Sequence, residues 1–406
     1  KGFKRLTRYP MMEFQMQESF KASEEKQHQL IRFFQRVNLA LPFEGNSMKI
    51  FQDGSSMLQA LLATINSAKH HIHVEFYIFE DDAVGCLVKD ALIEKAREGV
   101  EIRVLYDDVG CWKVPHRFYD EMREVGIEVR GFLKVRFPRF TSKVNYRNHR
   151  KLVVVDGRIG FVGGMNLAER YLKGVPWGIW KDIMMQVEGK AVYGLQMAFL
   201  TDWYATDHSL ITSSSYFPQM EDKGTSLMQV VTSDPVGEWK DIMQGLLIAI
   251  TSAQKYVYIQ SPYLLPTEPI LLALKTAAAA GVDVRIMIPE KSDSRMVHWG
   301  TMSYLQELME AGIKIYMYQK GFLHSKLIVC DDCLSSVGST NMDFRSFEHN
   351  FEINAFMYDK TSALMLKDIF LSDQKDAKLL HLKEWRMRPW SQKVKESVIR
   401  LFAPLL

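Results

Sequence analysis

Two histidines, two lysines and two asparagines recur in this chain at one spacing. His149-Arg150-Lys151 is followed by four residues to Asp156, then by six to Gly163-Gly164-Met165-Asn166. His324-Ser325-Lys326 leads in the same steps to Asp331 and Gly338-Ser339-Thr340-Asn341. Both copies read His-x-Lys-x4-Asp-x6-Gly-[Gly/Ser]-x-Asn. An imidazole can attack phosphorus or carry a proton, a lysine can neutralise a phosphoryl oxygen, and an asparagine amide can donate to one. A duplicated set points to two half-sites meeting around one anionic phosphorus. One imidazole would form a covalent phosphohistidine; the other would protonate the departing alkoxide and later deprotonate the incoming hydroxyl. Lys151, Lys326, Asn166 and Asn341 would hold the non-bridging oxygens, with Gly164 and Ser339 in turns that let the backbone approach substrate. Two lysines match a singly charged phosphodiester, so this chemistry requires neither metal nor cofactor.

Such an imidazole needs an acceptor on its other ring nitrogen. Asp182, downstream of His149, and Glu352, downstream of His324, occupy comparable places in the two copies and are the candidates. Asp156 and Asp331 complete the catalytic set, although a strand-end position suits them better for anchoring backbone amides than for touching substrate. On a strand, residues i and i+2 share a face, so His149 is expected beside Lys151 and His324 beside Lys326. The apolar runs Leu152–Val155 and Leu327–Cys330 would carry each strand into a core.

The repetition extends beyond the motif. Alternating residues at 72–79 are echoed at 257–260, each followed by a helical stretch (87–97 and 270–280). Gly99 and Gly281 then close the helices before the β-branched runs 100–105 and 282–287. Alternating strand and helix predicts an α/β fold with parallel units in each half. The Ser- and Thr-rich stretch 209–224 separates a first domain, 46–222, from a second, 223–406. Residues 1–45 have no counterpart and form an N-terminal segment expected against the body or a membrane surface.

With 47% hydrophobic and 24% charged residues, the composition is that of a globular chain with real cores rather than a disordered one. A net charge of +3 is too small to imply nucleic acid, but charge is concentrated locally. From Val129 to Val155 there is no acidic residue, and eight Lys or Arg alternate with Phe and Tyr. This segment, 130–151, fits an anionic membrane surface, with cations for headgroups and aromatic rings for the acyl boundary. At the C-terminal end Val394, Val398, Leu401 and Phe402 fall near one helical face, compatible with either core packing or a membrane surface. The four cysteines make no disulfide framework and read as small core side chains in a reducing compartment. No run approaches the ~18–20 apolar residues needed to span a bilayer. His71 and His73 share a strand face, but no further ligand accompanies them, so a metal site there is not expected.

The paired motifs resemble those of the phospholipase D superfamily over residues 46–406. Within it the chain resembles bacterial cardiolipin synthases, on Tyr146–Lys151, Gly160–Asn166, Gly321–Lys326, Asn341–Phe347 and Arg400–Leu406. The resemblance implies two tandem phospholipase D-like α/β repeats related by pseudo-two-fold symmetry, with one active site at their interface. It also implies metal-free transfer through a phosphohistidine, from one phosphatidylglycerol to another, giving cardiolipin and glycerol. By the same analogy His149 is the nucleophile and His324 the acid/base. The implied location is the bacterial cytoplasmic membrane, with the catalytic part on the cytoplasmic side. Members carry N-terminal membrane helices, expected to precede the segment seen here. Glu348-His349 departs from the family's apolar residues and is expected at the pocket wall. Hydrolysis by a phospholipase D, or transfer from another donor such as phosphatidylethanolamine, would use the same motif; a nuclease fits less well, since no nucleic-acid-binding module accompanies it. A catalytically idle binding protein is disfavoured because both motifs are complete. Self-association is left open.

Overall fold

The structure is a computed structural model that describes residues 25–134 and 145–403. Residues 135–144 of the basic-aromatic segment and most of the N-terminal segment (1–24) thus lie outside the described residues. In the first half the strands are β1 Phe43–Phe51, β2 His71–Phe76, β3 Glu101–Asp107, β4 Glu128–Phe132 and β5 Arg147–Asn148. They continue with β6 Lys151–Val155, β7 Ile159–Gly163, β8 Ile179–Lys181 and β9 Met184–Glu188. The second half has β10 Ser226–Ser233, β11 Tyr256–Gln260, β12 Leu264–Leu265, β13 Asp283–Pro289, β14 Lys314–Tyr318 and β15 Gly321–Leu323. It ends with β16 Leu327–Cys330, β17 Leu334–Gly338, β18 Met342–Asp343, β19 Asn350–Met357 and β20 Ala377–Leu379.

One continuous sheet runs β20-β14-β13-β11-β16-β17-β19-β10-β1-β9-β7-β6-β2-β3-β4. Its centre is the antiparallel β1–β10 pair. Outward from that pair the two halves repeat one order, β1-β9-β7-β6-β2-β3-β4 against β10-β19-β17-β16-β11-β13-β14. That is the pseudo-two-fold relation the repeats imply, with β20 as an extra edge strand.

Within each half β2–β3–β4 and β11–β13–β14 pair in parallel through helical crossovers, as alternating strand and helix requires. The crossover helices Ala83–Arg97 and Glu268–Ala279 are followed by Gly99 and Gly281, both at φ +91°, a conformation that costs glycine nothing. Helices cover both faces of the sheet. One face has a separate core in each repeat, around Val74, Val104 and Phe161 in the first and Ile259, Ile286 and Leu305 in the second. The other face has a single core crossing the boundary, joining Val154, Met185 and Phe199 to Val329, Ile353 and Phe370. Burial shared between the halves at about 25 cal/mol per Å² of apolar surface resists their separation.

Helix Glu25–Val37, from the N-terminal segment, buries Leu30, Ile31 and Phe34 against Val231, Leu246 and Phe356, so this part packs on the body of the second repeat. The four cysteines are free thiols, with Cys111 and Cys330 buried. His71 and His73 are laced by Gln196, whose Oε1 lies 3.0 Å from His71 Nε2 and whose Nε2 lies 2.7 Å from His73 Nδ1. They are core histidines held neutral by burial.

Candidate active site

The two motif histidines open on one cleft of about 270 Å³ between the repeats. The histidine and lysine of each motif do not lie along a single strand, as sequence alternation implied. His149 falls in the break between β5 and β6, and His324 in the break between β15 and β16. The two short strands before these breaks pair with the opposite repeat: β5 with β19, and β15 with β8. Each histidine is thereby handed across the interface. Its backbone N–H donates to the opposite repeat, His149 to Phe351 O at 2.9 Å and His324 to Lys181 O at 2.6 Å.

The crossing also decides the carboxylates. Asp182 and Glu352 do orient the imidazoles, but each serves the histidine of the other repeat. His149 Nδ1 lies 2.9 and 3.0 Å from the two Glu352 carboxylate oxygens, and His324 Nδ1 lies 2.6 Å from Asp182 Oδ2. A proton on Nδ1 donates to the carboxylate, leaving the Nε2 lone pair for the cleft. Burial, only partly opposed by the carboxylates, holds both imidazoles at about 4. The Glu352 carboxyl, which burial alone would push up, is held below its ordinary range by His149 and Lys151.

Lys151 and Lys326 sit behind the histidines. Lys151 Nζ donates to His149 O at 2.6 Å; Lys326 Nζ donates to His324 O and lies 2.8 Å from His324 Nδ1. Two groups thus crowd that ring nitrogen. The Nδ1–H of the ring donates to Asp182, which is closer than Lys326 and also attracts that lysine from 3.9 Å. Burial depresses both ammonium groups, Lys326 to about 8 and Lys151 well below its ordinary value. His149 faces no such competition at Nδ1.

Two of the expected site residues anchor backbone amides, as their strand-end position suggested, and two more sit behind the carboxylates. Asp156 accepts from the backbone N–H groups of Lys69, His70 and His71, and Asp331 from those of Gln254, Lys255 and Tyr256. They pin the start of β2 and β11 at the strand end away from the cleft, the anchoring role their position suggested rather than contact with substrate. Gly164 and Ser339 do depart from the expected role. Ser339 is fully buried and its hydroxyl donates to Glu352, while a Cβ at Gly164 would meet Asp182 Oδ1 at 2.2 Å. Both support a carboxylate rather than contact substrate. Asn166 and Asn341 do line the cleft; Asn166 donates to Tyr171 Oη at 2.8 Å, and Asn341 Oδ1 has no partner among the described residues.

The cleft wall also holds residues the motif reading passed over: Tyr77, Tyr171, Trp180 and Tyr263 around the histidines, with Arg147, Arg345, Asn350, Asp293 and Asp343. Arg147 and Arg345 stand inside the quoted motif stretches, and their types alone were a signal. Asp293 and Tyr263 come together only through the fold, with Tyr263 Oη 2.9 Å from Asp293 Oδ1. Glu348 and His349 are not wall residues: Glu348 pairs with Lys240 at 3.4 Å and His349 stacks on Tyr146. Arg150, read as surface charge, is buried and donates to Asp202, Ser233 O and Glu352 O, bolting the motif to both repeats.

The family description "Cardiolipin synthase, PLD-like domain" matches residues 61–203 and 246–374, one stretch in each repeat. The chain belongs to this family of the phospholipase D superfamily. It is 40% identical to a cardiolipin synthase of Geobacillus kaustophilus, over 94% of this chain and 76% of that one. It is 42% identical to the major cardiolipin synthase ClsA of Bacillus subtilis, over 91% and 77%. The fold is shared with the crystal structure of a phosphatidylserine synthase of Haemophilus influenzae, at TM-score 0.67 and 15% identity over 93% of this chain and 98% of that one.

Proposed function

We propose that the chain is a cardiolipin synthase transferring a phosphatidyl group from one phosphatidylglycerol to the glycerol hydroxyl of a second. The observation that carries this is the pair of cleft imidazoles, each with Nδ1 on a buried carboxylate of the opposite repeat and Nε2 left for substrate. His149, free of a competing ammonium at Nδ1, is the nucleophile. Its Nε2 bonds to phosphorus as the bond from phosphorus to the glycerol oxygen breaks, and His324 gives that oxygen its proton. Both rings are neutral at pH 7 in the empty cleft; the bound phosphodiester anion raises the hold of His324 on a proton. In the second half His324 takes the proton of the acceptor hydroxyl, whose oxygen displaces His149 from phosphorus. Lys151 and Lys326 oppose the negative charge from behind the rings. In this reading residues 46–222 and 223–406 each supply one half-site.

The acting surface is a membrane. The C-terminal helix Trp390–Arg400 turns its apolar residues outward, contrary to core packing: Trp390, Val394 and Val398 are exposed, as is Leu401 just beyond. Ala403, at the end of this run, lines the cleft, so the apolar stripe borders its mouth. Among the described residues no helix is long and apolar enough to cross a membrane. An anionic bilayer, the bacterial cytoplasmic membrane, is the proposed partner.

The deciding experiment is mass spectrometry of lipids after adding the protein to phosphatidylglycerol vesicles. Cardiolipin with equimolar glycerol is expected. Phosphatidic acid alone would make the protein a hydrolase, and turnover only after adding phosphatidylethanolamine would change the donor.

A further inference from the structure

The cleft holds cationic charge that the chemistry at the two histidines leaves unused. Arg147 is only 2% exposed and lines the cleft, yet both terminal nitrogens of its guanidinium have no hydrogen-bond partner among the described residues. Its neighbour Asp107 is engaged elsewhere, accepting from the backbone N–H groups of Val109, Gly110 and Asn148 at 2.8–3.0 Å. Arg345, half-buried on the same wall, adds a second guanidinium to the field around Arg147 and Tyr77. A buried guanidinium without an anion is costly, and its fork of donors matches a phosphate. Strand register sets Arg147 opposite Asn350, two residues before His149 and two before Glu352, so this charge stands beside the reacting centre.

Transfer between two lipids brings two phosphodiesters into one cleft, the one that reacts and the one the acceptor keeps. The kept phosphate is tied to the attacking hydroxyl by a single three-carbon glycerol, so it lies inside the cleft when attack occurs. We propose that Arg147 and Arg345 form a subsite for the acceptor's own phosphodiester, so that the enzyme selects a phosphate-bearing alcohol over free glycerol or water. This rests on the phosphatidyl-transfer reading above and names what that reading leaves open, the basis of acceptor choice.

Two rates measured on one preparation test it. Phosphatidylglycerol vesicles are supplied with deuterated free glycerol, and mass spectrometry follows cardiolipin and deuterium-labelled phosphatidylglycerol together. Both products draw on the same donor and the same phosphoenzyme; only the cardiolipin acceptor carries a phosphate. Arg147→Gln is expected to lower the ratio of cardiolipin to labelled phosphatidylglycerol by about 10- to 100-fold, as for loss of a charge-assisted hydrogen bond. Arg345→Gln should lower it in the same direction, and Arg147→Lys, which keeps charge but loses the fork, should fall between. A misfolded fraction lowers both rates together and leaves the ratio alone. An unchanged ratio in well-folded Arg147→Gln and Arg345→Gln, with both rates reduced, would assign these arginines to the reacting phosphate and overturn the proposal. A wild-type protein that exchanges glycerol but forms no cardiolipin would sink the synthase reading, and the acceptor subsite with it.

Discussion

Glu352→Gln tests the crossed pairing most directly. Glu352 is fully buried and accepts from His149 Nδ1, from the Ser339 hydroxyl, and from Asn350 Nδ2 at 3.0 Å. Glutamine keeps the shape but presents one oxygen and one NH2 to these donors, so the NH2 must face one of them. The imidazole escapes by moving its proton to Nε2, the atom that must attack. Loss of a charged hydrogen bond alone is worth about 1.5–3 kcal/mol, roughly 10- to 150-fold in rate. A wrong tautomer behind a catalytic imidazole raises the loss toward about 10⁴-fold. We expect cardiolipin formation to fall by about 10²- to 10⁴-fold with little change in melting temperature. The step affected carries the argument. Rapid-quench labelling with phosphatidylglycerol should show no covalent adduct in Glu352→Gln, as in His149→Ala. In Asp182→Asn, as in His324→Ala, adduct should form slowly and then persist. If Glu352→Gln accumulated adduct while Asp182→Asn prevented it, Glu352 would be serving the acid/base and the assignment would be refuted.

Gly164→Ala places a Cβ on the Asp182 carboxylate and should reduce turnover as strongly as Asp182→Asn; near-normal turnover would mean that the carboxylate is not held there. Asp156→Ala or Asp331→Ala leaves three backbone N–H groups without their acceptor and should cost about 2–3 kcal/mol of stability, read by chemical denaturation. Activity per folded molecule should change little, and its abolition at unchanged stability would return these aspartates to the chemistry. In the pH profile of kcat/KM, activity should rise through about pH 4 as His149, the nucleophile, loses its proton. It should fall above about pH 8 as Lys326 loses its charge. A basic limb unmoved in Lys326→Arg would exclude Lys326 as its source. Trp390→Ser with Leu401→Ser should weaken partition onto phosphatidylglycerol vesicles in a flotation assay, and unchanged flotation would place the membrane face elsewhere.

The repeat was legible because the order of apolar runs, capping glycines and β-branched runs is local: each half carries its own βαβ signals. The motif chemistry was legible for the same reason, since residue type and spacing survive without coordinates. Lys69 N–H to Asp156 and Gln254 N–H to Asp331 were not legible, because they join segments with no local signature in common. Arg150 was misread for a related cause. A basic run looks solvated until the partners that bury it, Asp202 and two backbone carbonyls, are folded around it.

By itself the sequence marked two equivalent half-sites and the histidine, lysine and asparagine of each, and pointed to phosphodiester chemistry. Only the tertiary structure decided which partner each side chain has. Sequence order placed Asp182 with His149 and Glu352 with His324, and a one-repeat view would keep them so. The short strands β5 and β15 find their hydrogen bonds only on the other repeat, so each histidine crosses to a carboxylate it does not precede in the chain. Neither half can assemble an oriented imidazole alone. Backbone pairing across the two-fold, a relation between distant segments that no local pattern encodes, makes one active site out of two motifs.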